Sequence, residues 1–451
     1  MIPKINLFIY KMHIKRIAIL LCFLIVSFSA SSQEVKVLTL DEAIKLGIEN
    51  SKALKLSQAR IDQAISQYNQ VKDSALPTGS MSYVYNHAEI PTSTFKLEKD
   101  SEPFHLPSRA EAFIGTFSLQ QVIFAGNKLK YAKQSTDLLT KISQLDAEKD
   151  REEVIYNIID AYFNLYKLQQ SKNVVKQNLQ TVDSQIKQSQ RFFDQGIVTK
   201  NDVLRFQLQR SNIELTDGDL ETNRKIVVYN LDVLLGLPEN TDLNVPEIAM
   251  GNQQSSSNTA FIDTALNNRQ EIKALSLQSQ VAETNIKSLG SEILPKVLLG
   301  ADVYYINPSG KFIPPSNMFI APITVGATVA WNFDKLWTNK NKIAEAKIQK
   351  NQVEINKSLF TDHIKTEVNQ NYQNYVNALN KISIIQAAIV QAQENNKILE
   401  SKYNNNVASV TDKIDADTQL YQSLINIELA KADAGLAYYN LLKSTGTITT
   451  K

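Results

Sequence analysis

Cysteine is nearly absent from this 451-residue chain; Cys22 is the only one, and it sits in an apolar run close to the N-terminus. Lys11, Lys15 and Arg16 precede Ile17–Val26, and Ser27-Phe28-Ser29-Ala30-Ser31-Ser32-Gln33 follows. Basic, then apolar, then small residues is the order of an export signal, so residues 1–33 are expected to be removed. The mature chain then has no disulfide, no thiolate nucleophile and no thiolate metal site. A cysteine at the cleavage point would carry a lipid anchor, but Phe23-Leu24-Ile25-Val26 follows this one.

Histidine is scarce too. His13 falls in the leader, His87 and His105 in or beside a loop of the first strand pair, and His363 within a helical pattern; together they have no metal-ligand spacing. Asp362 is adjacent to His363, and Asp415 and Asp417 are two apart, so on a helix neither pair meets as an acid and base would. No Walker-type phosphate loop is present. The formal net charge is only +2, and loss of Lys4, Lys11, Lys15 and Arg16 with the leader takes it to −2. Neither value marks a nucleic-acid binder. Beyond the leader, no apolar run reaches the roughly 20 residues of a spanning helix. An exported chain of this kind is either soluble outside the inner membrane or inserted as β-structure.

Of the 12 prolines, none falls in 108–237 or 323–451. Proline removes a backbone donor and clashes inside a helix, so its long exclusion suits very long helices. Ile155, Ile158, Ile159, Tyr162, Phe163 and Tyr166 recur at steps of three and four, as do Ile382, Ile385, Ile389 and Ala392. These patterns predict helices over about 128–193 and 342–403. At 1.5 Å per residue each is roughly 100 Å long and needs neighbours along its stripe. Each meets a short break, Asp194-Gln195-Gly196-Ile197 or Asn404-Asn405-Asn406-Val407, and a second helix returns to about Leu235 or Leu442. Two antiparallel hairpins result.

Strand-like alternation lies between these tracts. Gly79–Tyr85 and Phe113–Leu119 alternate on a two-residue period, with Phe113, Gly115, Phe117 and Leu119 on one face and Thr116 and Ser118 on the other. Val297–Ile306 and Ile323–Trp331 repeat the pattern, the latter with Val325, Ala327, Val329 and Trp331 opposite Thr324, Gly326, Thr328 and Ala330. Expected strands are about 78–90, 112–124, 297–306 and 322–332, with a loop at 307–319. Their length suits a transmembrane barrel and equally a soluble two-sheet domain. Helical pattern also covers about 38–72, where Thr39 and Glu42 have capping-box spacing, and 261–290.

The order occurs twice. Tyr162 to Gly196 and Tyr372 to Asn406 are both 34 residues, and Tyr229-Asn230-Leu231 and Gly236 fall 210 residues before Tyr439-Asn440-Leu441 and Gly446. The expected organisation is a leader at 1–33 and repeats at 34–250 and 251–451.

From about Leu38 to Gly446 these residues resemble the outer-membrane efflux and secretion channel family, the TolC-like outer membrane factors. Gly196, Thr199, Asp202 and Leu204 match the pattern near the helical turn, and Asn406, Ser409, Asp412 and Ile414 match it again. Leu76-Pro77 and Leu294-Pro295 resemble the helix-to-strand junctions. Val122-Ile123-Phe124-Ala125-Gly126 resembles the strand-to-helix junction; Trp331-Asn332-Phe333-Asp334 does so without the glycine. The resemblance implies a mixed α/β membrane protein: long antiparallel periplasmic helical hairpins plus four transmembrane β-strands per chain, closing a 12-stranded β-barrel as a trimer. It implies residence in the outer membrane of a Gram-negative bacterium, reaching into the periplasm, and passive export with no cofactor. The partners it implies are outer-membrane lipid, a periplasmic adaptor (membrane fusion) protein and an inner-membrane pump or exporter.

By the same resemblance Tyr403, Asp412 and Asp415 form the pore constriction, while Ala408 stands where the family's closing network has an arginine. Asp412 and Asp415, three apart, share a helix face; a solvated turn edge would give the same spacing. Gly196, Ile197, Val198, Asn406, Val407 and Val410 are the expected adaptor contacts at the helical tips, although apolar residues there would also cap the coiled pair. The competing reading is an exported coiled-coil scaffold or adhesion protein, which needs the helices but not four amphipathic strands.

Overall fold

The computed structural model describes residues 36–89, 91, 94–96, 98–105, 108–239, 241–246, 257–307 and 319–450. The leader 1–33 and most of the expected loop 307–319 lie outside the described residues. Among those described, the elements run β1 (Lys36–Val37), α1 (Leu40–Asn50), α2 (Lys52–Asp73), β2 (Thr78–Glu89), β3 (Thr94–Phe95), β4 (Phe104–His105), β5 (Arg109–Ala125), α3 (Lys128–Asp194), α4 (Lys200–Leu235) and β6 (Leu243–Asn244). Then come α5 (Asn258–Asn268), α6 (Gln270–Gly290), β7 (Lys296–Asn307), β8 (Ile323–Ala330), α7 (Lys335–Asn404) and α8 (Val410–Ser444). The fold is mostly helical, and α3 and α7 run for 67 and 70 residues without a break. No described helix is both long and apolar enough to cross a membrane.

The chain forms two compact units. The first takes its described residues from 36–51, 155–246 and 373–440, the second from 52–154, 257–372 and 441–450. In the first unit the apolar stripe of α3 supplies the core: Ile158, Ile159, Tyr162, Phe163 and Leu165 are sealed with Leu38, Leu231, Leu235 and Leu243. Gly435 lets α8 approach the Phe163 ring so closely that a Cβ there would strike it. The Tyr162 hydroxyl donates to the Leu38 carbonyl at 3.2 Å, and β1 and β6 pair in parallel. Two residues per strand have no periodicity, so this bridge has no sequence signature.

The second unit holds an antiparallel sheet in the order β2-β5-β7-β8, with β2 and β8 at its edges. One line of partners is Met81–Phe117–Val303–Ile323 and the next is Gly79–Leu119–Ala301–Val325. The adjacent line of the opposite face is Ser80–Ser118–Asp302–Thr324. Because side chains alternate with period two, the register segregates apolar from small and polar residues across all four strands. Tyr83 and Tyr305 flank Gly115 on the neighbouring strands.

Each expected helix before a strand is two helices. The 38–72 segment breaks at Ser51 (ψ 117°) and the 261–290 segment, which begins at Asn258, breaks at Arg269 (ψ 123°). No proline or glycine marks either break; tertiary bonds set them. Asn50 donates its amide to the Leu235 carbonyl at 2.7 Å. Arg269 is buried, pairs with both oxygens of Glu271, and reaches Glu367 and the Ser444 carbonyl at 3.1 Å each. The Thr39 hydroxyl accepts the Glu42 N–H at 3.3 Å, but the Glu42 carboxylate turns to Lys36, so the capping box is half formed.

Glu152 is buried near Arg269. Burial, helped by Glu271 and opposed by Arg269, pushes its pKa up to about 7. A carboxyl whose folded pKa is raised gives stability that is fully present below its unfolded pKa and is lost as pH rises through the folded value. Glu152→Gln should therefore leave stability near wild type at pH 5 and raise it at pH 8 by up to roughly 3 kcal/mol. Denaturant unfolding at the two pH values measures this, and an equal effect at both would contradict it.

Candidate channel entrance and membrane face

The hairpin turns have matching backbone chemistry. Gly196 (φ 74°) and Asn406 (φ 59°) both take the left-handed conformation. After Gly196, the Ile197 N–H reaches the Phe192 carbonyl at 2.9 Å; after Asn406, the Val407 N–H reaches Lys402 at 2.8 Å. Asparagine tolerates that conformation better than other side-chain-bearing residues, so it replaces glycine in the second turn. The returning helices start alike. Asp202 accepts the Thr199 N–H and hydroxyl, both at 2.8 Å, and Asp412 accepts those of Ser409 at 3.1 and 2.7 Å. The shared spacing of a hydroxyl and an acid three residues on is thus a helix-start signal.

Tyr403 is 3% exposed, with its ring 6.2 Å from Phe192 and 5.9 Å from Phe206 between centroids. Val410, Ile186, Ala408 and Ile414 complete the cluster. Burial pushes the phenol pKa up, and the nearby Ser189 hydroxyl pulls against it. Neither buried oxygen forms a well-aligned hydrogen bond. Packing of the ring, rather than its hydroxyl, therefore fixes Tyr403.

Asp412 and Asp415 are exposed on one face of α8. The Ser409 hydroxyl, then its N–H, holds the Asp412 carboxyl below the usual range. Of the tip residues, Gly196, Ile197, Asn406 and Val407 are exposed and Val198 is half-buried. Val410 departs from the expected tip surface: it is 4% exposed, because the first turn of α8 points it at Tyr403 and Phe206. The structure thus brings Tyr403 and Val410 into one cluster and leaves Asp412 and Asp415 outside it.

Sequence reading passed over a buried polar group nearby. Lys413 is 4% exposed and pairs with Asp417 at 2.8 Å. Asn396 of α7 and Gln185 of α3 also donate to Asp417, at 2.6 and 2.7 Å. The i,i+4 spacing of Lys413 and Asp417 was the available signal.

The sheet supplies the other feature. Met81, Ile323 and Val325 are 82%, 71% and 81% exposed, and Tyr83, Tyr85, Phe117, Leu119, Leu299, Val303, Tyr305 and Val329 of the same face are exposed with them. A continuous bare apolar face of this extent marks an interaction surface. At one end it meets charge, with Arg109 2.8 Å from Glu89 and His87 close to Glu111. At the other end exposed Trp331, Phe333, Leu336 and Trp337 gather at the start of α7. Among the described residues no group of acidic, histidine or cysteine side chains could hold a metal ion.

Replacing Tyr403 separates ring from hydroxyl. Tyr403→Phe should keep unfolding stability within about 1 kcal/mol of wild type, whereas Tyr403→Ala should cost about 3–5 kcal/mol. Thermal unfolding of the solubilised protein reads both; a large loss in the Phe variant would give the hydroxyl the structural role.

Comparison with known proteins agrees with this architecture. The family model described as "Outer membrane efflux protein" matches residues 43–237 and 261–447. Outer membrane protein TolC of Escherichia coli (strain K12) is 21% identical over 456 residues, covering 96% of this chain and 87% of TolC. Outer membrane efflux protein BepC of Brucella suis is 21% identical over 421 residues, covering 91% of this chain and 86% of BepC. The crystal structure of the Campylobacter jejuni CmeC outer membrane channel superposes with a TM-score of 0.72 at 16% identity, covering 91% of this chain and 86% of CmeC. The chain belongs to the outer membrane efflux protein family, as a channel protein of the outer membrane.

Proposed function

We propose that three copies of this chain form a passive exit duct of a tripartite efflux or type I secretion system, carrying small molecules or polypeptides. The two repeats, 34–250 and 251–451, each supply a strand pair to a 12-stranded barrel and a hairpin to a periplasmic tunnel. The observation that carries this reading is the bare apolar face of the four-stranded sheet, together with its two open edges. Lipid covers an apolar face but cannot satisfy backbone donors and acceptors, so edge β2 of one copy must pair with edge β8 of the next until the ring closes. Val297 to Tyr305 is close to the roughly 9–11 residues that a tilted strand needs to cross. A coiled-coil scaffold has no use for such a face.

Exposed Ile197 and Val407 beside the left-handed turns suit docking of a periplasmic adaptor, with Gly196, Val198 and Asn406 shaping the surface and Val410 supporting it from beneath. The adaptor would in turn connect to an inner-membrane pump or exporter, which must supply the energy. At the same tips Asp412 and Asp415 of three copies would place six carboxylates near one axis. Such a ring concentrates cations and repels anions.

Detergent-extracted protein should migrate as a heat-labile trimer and conduct ions in planar bilayers with cation preference. The Asp412→Asn/Asp415→Asn variant keeps an acceptor for the Ser409 cap and removes the charge. Its anion-to-cation permeability ratio should rise several-fold. Unchanged selectivity would remove these residues from the pore, and a monomer that stays soluble without detergent would contradict the duct.

A further inference from the structure

We propose that the polar face of the sheet carries a binding site for apolar organic cations, made of an aliphatic row (Val84, Ile114, Ile306 and Ile320) with Tyr304 and Asp302 beside it. The inference rests on the reading of the sheet as part of a barrel wall, with this face toward the water-filled interior. It gives that interior a class of solute.

The row follows from the register. Even-numbered residues of the four strands share the face opposite the bare apolar one. Along that face, moving away from the end where α2 enters, come the lines Ser80–Ser118–Asp302–Thr324 and then Ser82–Thr116–Tyr304. The next line breaks the polar pattern. Val84 pairs with Ile114, Ile114 pairs with Ile306, and Ile306 and Ile320 exchange both backbone hydrogen bonds at 2.9 Å. Tyr305 and Phe319 stack at 4.6 Å on the other side of the sheet, which fixes Ile306 and Ile320 to this one. One line further on, Asn86 opposite Ala112 restores small and polar residues.

Packing does not account for the row. Val84 and Ile320 are 43% and 56% exposed, so the described residues leave its two ends open. Nor would it act as a plug. Twelve strands spaced about 4.8 Å apart and tilted by roughly 35–45° make a ring roughly 22–26 Å across between backbones. Facing sheets pack about 10 Å apart, so each wall's side chains take about 5 Å and leave a bore of roughly 12–16 Å. Several waters fit across that width, and the row repeated in three copies is a contact surface along a wet passage.

The neighbours of the row select the solute. Asp302, Tyr304 and Ile306 alternate along β7, so carboxylate, phenol ring and aliphatic side chain follow one another on one face at steps of about 6.6 Å. An aromatic face attracts a cation, and the carboxylate attracts it from further away. Lys296 is the other charged residue of this face within the four strands, and it lies six residues beyond Asp302, about 20 Å along the strand. A solute at the aliphatic row therefore meets negative charge first. An ion with alkyl groups around its positive centre satisfies all three elements. A small hydrated cation uses only the acid, and an apolar anion is repelled by it.

The test is block of ion current through the full-length protein in planar bilayers by tetrabutylammonium and tetramethylammonium, which carry the same charge and differ in apolar surface. Tetrabutylammonium should reach half-block at a roughly tenfold lower concentration, the equivalent of about 1.4 kcal/mol. The Ile306→Thr/Ile320→Thr variant keeps branched side chains that suit a strand, and it should bring the two ions to within about twofold of each other. Asp302→Asn should weaken block by both ions by a similar factor and leave their ratio near that of wild type. If wild type conducts and is blocked equally by both ions or by neither, or if the Thr variant keeps the tenfold preference, the site is overturned and the duct stands. Unchanged block in Asp302→Asn overturns the cationic class. If wild type passes no current, the duct reading itself fails.

Discussion

On the proposed reading, backbone hydrogen bonding in hydrocarbon is the constraint that governs this structure. Each strand of the β2-β5-β7-β8 sheet pairs with its neighbours, but β2 and β8 each retain one edge of free donors and acceptors. In water such an edge is merely sticky; in lipid every unsatisfied group costs several kcal/mol. Four strands are too few to curl shut alone, since the smallest bacterial barrels have eight. On that reading the sheet's apolar face and its open edges make one demand between them, for more copies of the same sheet.

The helices answer a different constraint. A single very long helix is not stable alone in water, and it gains its stability from an apolar stripe buried against partners. In the first unit Val175 and Val182 of α3 pack with Ile213 of α4, and Tyr421 and Ile425 of α8 close over them. Each hairpin then needs a turn that reverses the chain in few residues without frayed ends. Gly196 and Asn406 in the left-handed region, followed by the Thr199–Asp202 and Ser409–Asp412 caps, are two copies of one solution. Asp412 thus has a structural duty apart from any effect of its charge on permeating ions.

Much of this was legible in the residues, for physical reasons. Proline exclusion with steps of three and four locates α3 and α7, because a helix that long tolerates no missing donor. Two-residue alternation locates the strands, because successive side chains point to opposite faces and here the two faces differ in chemistry. The breaks at Ser51 and Arg269 were not legible; the bonds that set them come from Leu235, Glu367 and Ser444, all far along the chain. Nor was the burial of Val410 and Lys413, which depends on the rotation of α8 about its axis and on which helices lie against it. Asp415 and Asp417 look interchangeable as written, yet one is exposed and the other lies under three donors.

The most direct measurement of the central claim is the environment of β8, residue by residue. Nitroxide labels placed singly at 323–330 in protein reconstituted into lipid report collisions with oxygen, which concentrates in hydrocarbon, and with a water-soluble nickel complex. The account requires alternation: 323, 325, 327 and 329 accessible to oxygen, and 324, 326 and 328 accessible to nickel. Uniform exposure to nickel along the strand would contradict a lipid-facing sheet, and with it the barrel.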